Sequence, residues 1–256
     1  MSNPERGNIE QIATALRSAK RVAVITGAGM SAESGLPTYR GIGGLYNDMS
    51  VEEGMPIEEI LHAYTFACNP ALTWKYLAQI EHACRGAQPN NGHYLLAQWD
   101  AHFDLWVITQ NVDGFHQAAG SANVIELHGN LRHLFCCDCR AAFDVEDFEL
   151  LAIPPRCDKC DGLVRPDVVL FGESLPSAAT KTYEREIDRG FDVLFAIGTT
   201  AAFPYIYSPV AEATARGCVT VEINPDRTDL SDHVSHRIVS GALTALEAID
   251  QALITC

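Results

Sequence analysis

Short apolar runs rich in β-branched residues recur along the chain at Arg21–Thr26, Asp104–Thr109, Asn123–Leu127, Asp167–Phe171, Asp192–Ile197 and Cys218–Ile223. Their hydrophobicity is nearly continuous rather than alternating, as strands covered on both faces require. Between them lie segments with helical spacing. Ile9, Ile12, Ala13 and Leu16 form one stripe over Ile9–Ala19, and Asn69-Pro70 opens a helix running to about Cys84. Gly92–Trp99, Ser177–Arg189, Ser208–Arg216 and Ala242–Leu253 complete the set. Strands alternating with helices predict an α/β fold built on a doubly wound, parallel, Rossmann-like sheet.

Two stretches break the alternation. The segment Gly41–Pro89 holds no convincing strand and reads as helices with loops, and Arg132–Arg165 carries five of the nine cysteines and the Pro154-Pro155 pair. Both read as insertions that together form a smaller lobe. The expected division is therefore a sheet domain from 1–40, 90–131 and 166–256. A helical insertion (41–89) and a cysteine module (132–165) make up the small domain.

The chain has 256 residues, a formal charge of −15 and 47% apolar residues. Such a composition excludes disordered, collagen-like and coiled-coil classes and allows a full core. The negative excess repels a phosphate backbone over most of the surface, so no nucleic-acid partner is expected. No apolar run approaches the roughly 18 to 20 residues that span a bilayer. The polar, charged N-terminus has no signal-peptide pattern. A soluble cytoplasmic protein without a membrane partner is the expectation, with a monomer slightly favoured.

An odd number of cysteines without a signal peptide argues against a disulfide framework. Their spacing points elsewhere. Cys136 and Cys139 form one C-x2-C pair and Cys157 and Cys160 another, with seventeen residues between. Each pair turns two thiolates toward one tetrahedral ion, so these four are the predicted ligands of one Zn2+. Cys137 is left out of the set. Four thiolates leave no open coordination position, which makes the zinc structural and places the chemistry elsewhere.

The first strand runs into Gly27-Ala28-Gly29-Met30-Ser31-Ala32, a G-x-G-x-x-A turn. Glycines there let the backbone approach a pyrophosphate, although a tight strand-to-helix turn without a ligand has the same pattern. Gly35 and Pro37 interrupt the next segment before a helix can cross back, and no acidic strand end follows about 20 residues on. A loop therefore replaces the helix of a dehydrogenase. Two polar clusters, Gln110 to His116 and Glu126 to Gly129, end predicted strands, where doubly wound folds place ligands. Taken singly, Asn111 or Asp113 reads equally as a helix cap, and His116 or His128 as a packed ring.

The stretch GAGMSAESGLPTYR (27–40), TQNVDGFH (109–116), ELHG (126–129), the two C-x2-C pairs, RPDVVLFGE (165–173), GTT (198–200) and EIN (222–224) resemble the sirtuins in order and spacing. The resemblance spans nearly the whole chain. It implies NAD-dependent removal of acyl groups, acetyl first, from lysines of protein substrates. Gly27, Ala28, Gly29, Glu33, Thr38, Tyr39 and Arg40 would then lie along the NAD phosphates and the cofactor loop. Gln110, Asn111 and Asp113 would hold the nicotinamide end, with Asn111 counted as catalytic, and His128 would be the general base. Gly198, Thr199, Thr200, Asn224, Pro225 and Asp226 would line the adenosine end. Val169, Phe171, Gly172 and Glu173 would meet the substrate peptide as a strand, with Phe203 and the chain after Thr200 on its other side. His116 is given a structural role.

Some positions depart from the family pattern. Tyr39 stands where many sirtuins have Phe. Members that favour succinyl or malonyl groups carry a Tyr-x-x-Arg pair at positions that here fall on Leu77 and Ile80, so neutral acyl groups are expected. The segment Phe203-Pro204-Tyr205-Ile206-Tyr207 replaces the usual Val and Pro. The resemblance leaves room for ADP-ribosyl transfer or removal of longer acyl chains on the same fold. A zinc-ribbon module that senses NAD without turnover is the reading from another class.

Overall fold

The computed structural model describes residues 3–37 and 54–254. The expectations for Thr38, Tyr39 and Arg40 lie outside the described residues. Six strands form one parallel sheet: β1 (Arg21–Thr26), β2 (Asp104–Thr109), β3 (Val124–Glu126), β7 (Val193–Ile197), β8 (Val219–Ile223) and β9 (His236–Ile238), in the order β3-β2-β1-β7-β8-β9. β1 and β7 are buried almost throughout, which accounts for their unbroken apolar sequences. One face of the sheet packs against α1 (Asn3–Ser18), α5 (Asn91–Trp99) and α9 (Ala242–Ile254), with Trp99 and Phe195 in contact at the centre. The other face is covered by α7 (Ser177–Arg189) and α8 (Pro204–Ala215).

A second sheet of three antiparallel strands, β5-β4-β6, is built from β4 (Gly129–Cys136), β5 (Ala142–Asp144) and β6 (Val164–Val168). The sequence reading of Asp167–Phe171 as a parallel strand is corrected here. An apolar run suits any doubly covered strand, and this one pairs through Val164–Val168 with β4 in the small sheet. Helices α2 (Ile57–Ile60), α3 (Ala63–Cys68) and α4 (Pro70–Cys84) share a single core with that sheet, in which Trp74, Leu77 and Ile80 meet Leu134, Val164 and Leu170. The Trp74 indole donates to the Val164 carbonyl at 2.9 Å, tying the helices to β6.

The helix predicted from Ser208 starts four residues earlier, at Pro204. Proline at the first helical position has its φ already set and lacks only an amide that would be orphaned there. Tyr205 and Tyr207 therefore stand on the first turns of a helix, and only the residues up to Phe203 remain outside it for contact with a peptide. Among the described residues, no helix is long and apolar enough to cross a membrane.

Candidate active site at the strand ends

In the strand order, β1 and β7 are adjacent but their crossovers run in opposite directions, so their carboxyl ends open a crevice. Gly27 follows β1 and Gly198 follows β7. The Gly27 amide donates to the Ile197 carbonyl and the Gly29 amide to the Gly198 carbonyl, at 3.0 and 2.9 Å. Two short 3-10 turns, Ala28–Met30 and Ala32–Ser34, then take the place of a crossover helix, as the Gly and Pro positions predict.

A cavity of about 790 Å³ opens above these ends. It is lined by Gly27, Ala28, Gly29 and Glu33 from the first loop, by Gln110, Asn111 and His128 after β2 and β3, and by Gly198, Thr199 and Thr200 after β7. Asn224, Pro225 and Asp226 line it after β8, and Val169, Phe171, Gly172, Glu173 and Phe203 close another side. Asp113 lies apart, in a small adjoining recess with Ser31, Asn111 and Val112.

The polar groups are interlocked. Asn111 is buried and its amide donates to the Gly27 carbonyl (3.1 Å) and to Ser31 Oγ (3.2 Å). Ser31 Oγ donates onward to Asp113 Oδ2 at 2.7 Å, and Asp113 Oδ1 accepts from the Phe115 amide. Burial raises the Asp113 carboxyl above its ordinary range. Gln110 donates to Thr199 Oγ1 at 2.9 Å, and Asn224 donates to the Thr199 carbonyl at 3.1 Å, so the ends of β2, β7 and β8 are tied through one threonine.

His128 stands between the two sheets, just before β4. Its Nδ1 lies 2.9 Å from the Gln110 carbonyl and its Nε2 lies 2.8 Å from the Tyr205 hydroxyl. Burial lowers its pKa below the ordinary histidine value. His116, by contrast, is buried beside Thr26 Oγ1 at 3.1 Å and takes no part in the cavity lining.

The candidate peptide edge is partly in use. The Phe171 amide donates to the Leu61 carbonyl and its own carbonyl accepts from the Ala63 amide, so its main chain pairs with the helical insertion while the residue lines the cavity. Glu173 is held by the buried Arg165 guanidinium at 2.6 Å and accepts from the Leu170 amide, and its pKa is lowered, although its burial by itself works the other way. Leu61, Leu77, Ile80, Leu131 and Leu170 supply an apolar wall.

The four cysteine sulfurs of Cys136, Cys139, Cys157 and Cys160 lie within 4.8 Å of one another. Two of the separations are 3.4 and 3.7 Å, close to the ~3.8 Å that tetrahedral Zn–S bonds of about 2.3 Å impose. The donor set and its spacing fit zinc. A Cβ on Gly162 would stand 2.9 Å from Cys136 Sγ, so the second knuckle needs glycine to approach the first.

Two residues of the site were not singled out by the sequence. Ser31 stands inside the glycine motif but carries no role until its hydroxyl is seen bridging Asn111 and Asp113. Tyr205 falls in the segment expected to flank the peptide, and the start of α8 at Pro204 places it against His128.

The Sir2 family model matches residues 27–203. The NAD-dependent protein deacylase 2 of Pseudomonas aeruginosa is 48% identical over 245 residues, covering 94% of this chain and 95% of that protein. A solved Sir2 homologue in complex with NAD superposes with a TM-score of 0.84 at 37% identity, covering 95% of this chain and 93% of the other. A Sir2 structure with a deacetylated p53 peptide and 3′-O-acetyl ADP-ribose superposes with a TM-score of 0.84 at 27% identity, covering 95% and 97%. The chain with this crevice and this four-cysteine cluster belongs to the Sir2 family.

Proposed function

We propose that the protein is an NAD-dependent protein lysine deacetylase, moving an acetyl group from lysine to ADP-ribose with release of nicotinamide. The observation that carries the reading is the His128 imidazole, which lines the cavity at the junction of the two sheets with Nδ1 tied to the Gln110 carbonyl and Nε2 against the Tyr205 hydroxyl. A carbonyl only accepts, so Nδ1 carries the proton and Nε2 presents the lone pair of a base. Lowered by burial, this imidazole is neutral at physiological pH and ready to take a proton.

The cavity is lined from Asn111 to Asp226, and its floor is main chain at Gly27 and Gly29, which fits a dinucleotide. When bound, NAD supplies an electrophilic ribose carbon and a departing nicotinamide. Asn111 and Asp113, cross-linked through Ser31, orient the carboxamide end. Glu33, Gly198, Thr199, Thr200, Asn224, Pro225 and Asp226 hold the adenosine end, and Val169, Gly172, Glu173 and Phe203 guide the peptide. Leu77 and Ile80 exclude water from the acyl group and favour neutral chains, including ones longer than acetyl.

The small lobe is read as 41–89 with 132–165, its zinc holding the module that frames the peptide entry. Protein substrates bearing acetylated lysine are the partners, with nucleic acid and membrane excluded by charge and sequence, and a monomer as the working state. Free thiols as metal ligands suit the reducing cytoplasm.

The test incubates the protein with an acetyl-lysine peptide, with and without NAD, following peptide mass and nicotinamide. NAD-dependent loss of acetyl with equimolar nicotinamide is the expected result. Nicotinamide release without loss of acetyl would move the reading to ADP-ribosyl transfer, and silence on both counts would end it.

A further inference from the structure

His128 Nε2, the atom that accepts a proton in the proposed reaction, already has a partner. Tyr205 Oη lies 2.8 Å from it. Because the Gln110 carbonyl obliges Nδ1 to donate, Nε2 can only accept from a neutral ring, so the tyrosine hydroxyl is the donor. Burial pushes the Tyr205 phenol up to about 12, which keeps that donor protonated at working pH.

The tyrosine is clamped from several sides. The Tyr183 hydroxyl donates to its main-chain carbonyl, and its ring stacks on Phe203 with centroids 5.2 Å apart and planes at 10°. Both rings meet the imidazole edge-on, at 6.1 and 6.2 Å. Tyr205 sits at the start of α8 and lines the same cavity as His128. A ring stacked and anchored in this way does not swing aside easily to bare the imidazole.

We propose that Tyr205 is a catalytic residue that passes the proton from substrate to His128. The inference rests on His128 being the base. As a ribose hydroxyl of the ADP-ribosyl group gives its proton to Tyr205 Oη, the proton already on Oη moves to His128 Nε2. One substrate O–H bond breaks, a new Oη–H bond replaces the one given up, and an Nε2–H bond forms. The electron pair left on the ribose oxygen makes the new C–O bond to the acyl carbon, whose C=N π pair withdraws onto the lysine nitrogen. Tyrosine is neutral before and after, so the high phenol pKa is no obstacle, and His128 ends as imidazolium until it returns the proton.

The test is Tyr205→Phe, which removes one oxygen and keeps the ring, its stack and the helix start. In the cofactor-free protein, 15N NMR of the histidine side chains should show the His128 Nε2 resonance move toward that of an unbonded, pyridine-like nitrogen. In turnover, kcat should fall by about a hundredfold or more, with the KM for NAD unchanged and exchange of labelled nicotinamide into NAD retained, since that exchange precedes use of the base. An unmoved Nε2 resonance, or a kcat equal to or above that of the parent, overturns the proposal. His128→Ala is run in parallel. If it keeps full turnover, the base assignment has failed and the relay with it. If it is inactive while Tyr205→Phe is fully active, only the relay has failed.

Discussion

The Gly29 amide donates to the Gly198 carbonyl at 2.9 Å, and a Cβ on Gly29 would stand only 2.6 Å from the Gly198 Cα. At these two positions the loops after β1 and β7 therefore touch through main chain, and this part of the crevice floor exists because both are glycine. Gly198 also has φ +59°, a conformation other residues adopt at a cost.

Gly29→Ala should consequently separate the two loops. The expected cost is about 1–3 kcal/mol of stability, as for an overpacked core site, together with loss of NAD binding. Thermal melting and a calorimetric NAD titration check this. An alanine variant that binds NAD like the parent would show that the loops have slack.

Cys136 and Cys157 are buried in the same core as Trp74, Leu77 and Leu170, so metal removal should not be confined to the knuckles. Chelation, or Cys160→Ser, is expected to release one zinc per chain and to destabilise the small lobe by several kcal/mol. Trp74, which donates to the Val164 carbonyl, should shift its fluorescence to the red as water reaches it. Zinc content measured alongside the fluorescence decides the matter; loss of metal with an unchanged Trp74 signal contradicts it.

Leu77 and Ile80 are 3% and 4% exposed and face the cavity. An anionic acyl group placed against these apolar side chains is desolvated, at a cost of several kcal/mol. The kcat/KM for a succinyl-lysine peptide should accordingly be lower than for its acetyl counterpart by about a hundredfold or more. Equal rates on the two peptides would mean that a cation from elsewhere enters the site.

His128 must be neutral to accept a proton, and burial lowers its pKa below the ordinary 6.5. The acid limb of kcat/KM, which reports the free enzyme, should therefore fall below pH 6.5 rather than at or above it. A pH–rate profile checks this, and an acid limb above 6.5 would assign the titration to another group.

Two histidines also link stability to pH. Burial pushes His93 down to about 4 and His116 well below its ordinary value, so both fold as neutral rings. In the unfolded chain they take up protons from pH 6.5 downward. Their stabilisation is thus complete above 6.5 and is lost as pH falls toward the folded values, by up to about 1.4 kcal/mol per unit for each ring. Urea midpoints at pH 7 and pH 5 measure it, and a higher midpoint at pH 5 would reverse the sign.

β1 and β2 are legible in the sequence to the residue, because after a charged first residue each runs nearly continuously apolar, as a strand covered on both faces does. The four zinc ligands are equally legible, since C-x2-C geometry is local and the chemistry of thiolates is specific. The strand-end placement of Asn111 and His128 follows from the same local pattern. Local pattern does not choose partners, however. Asp167–Phe171 is apolar enough for either sheet, and only the pairing of Val164–Val168 with Gly129–Cys136 assigns the segment to the small one. His236–Ile238 is too short and too polar to announce itself, and becomes a strand because Val221–Ile223 offers it an edge. Ser31 and Asp113 are 82 positions apart and Tyr205 is 77 from His128, so their hydrogen bonds have no signature in spacing. Hydrophobic periodicity specifies which face of an element is buried. What that face is buried against depends on contacts between distant segments, and there the site's polar network was decided.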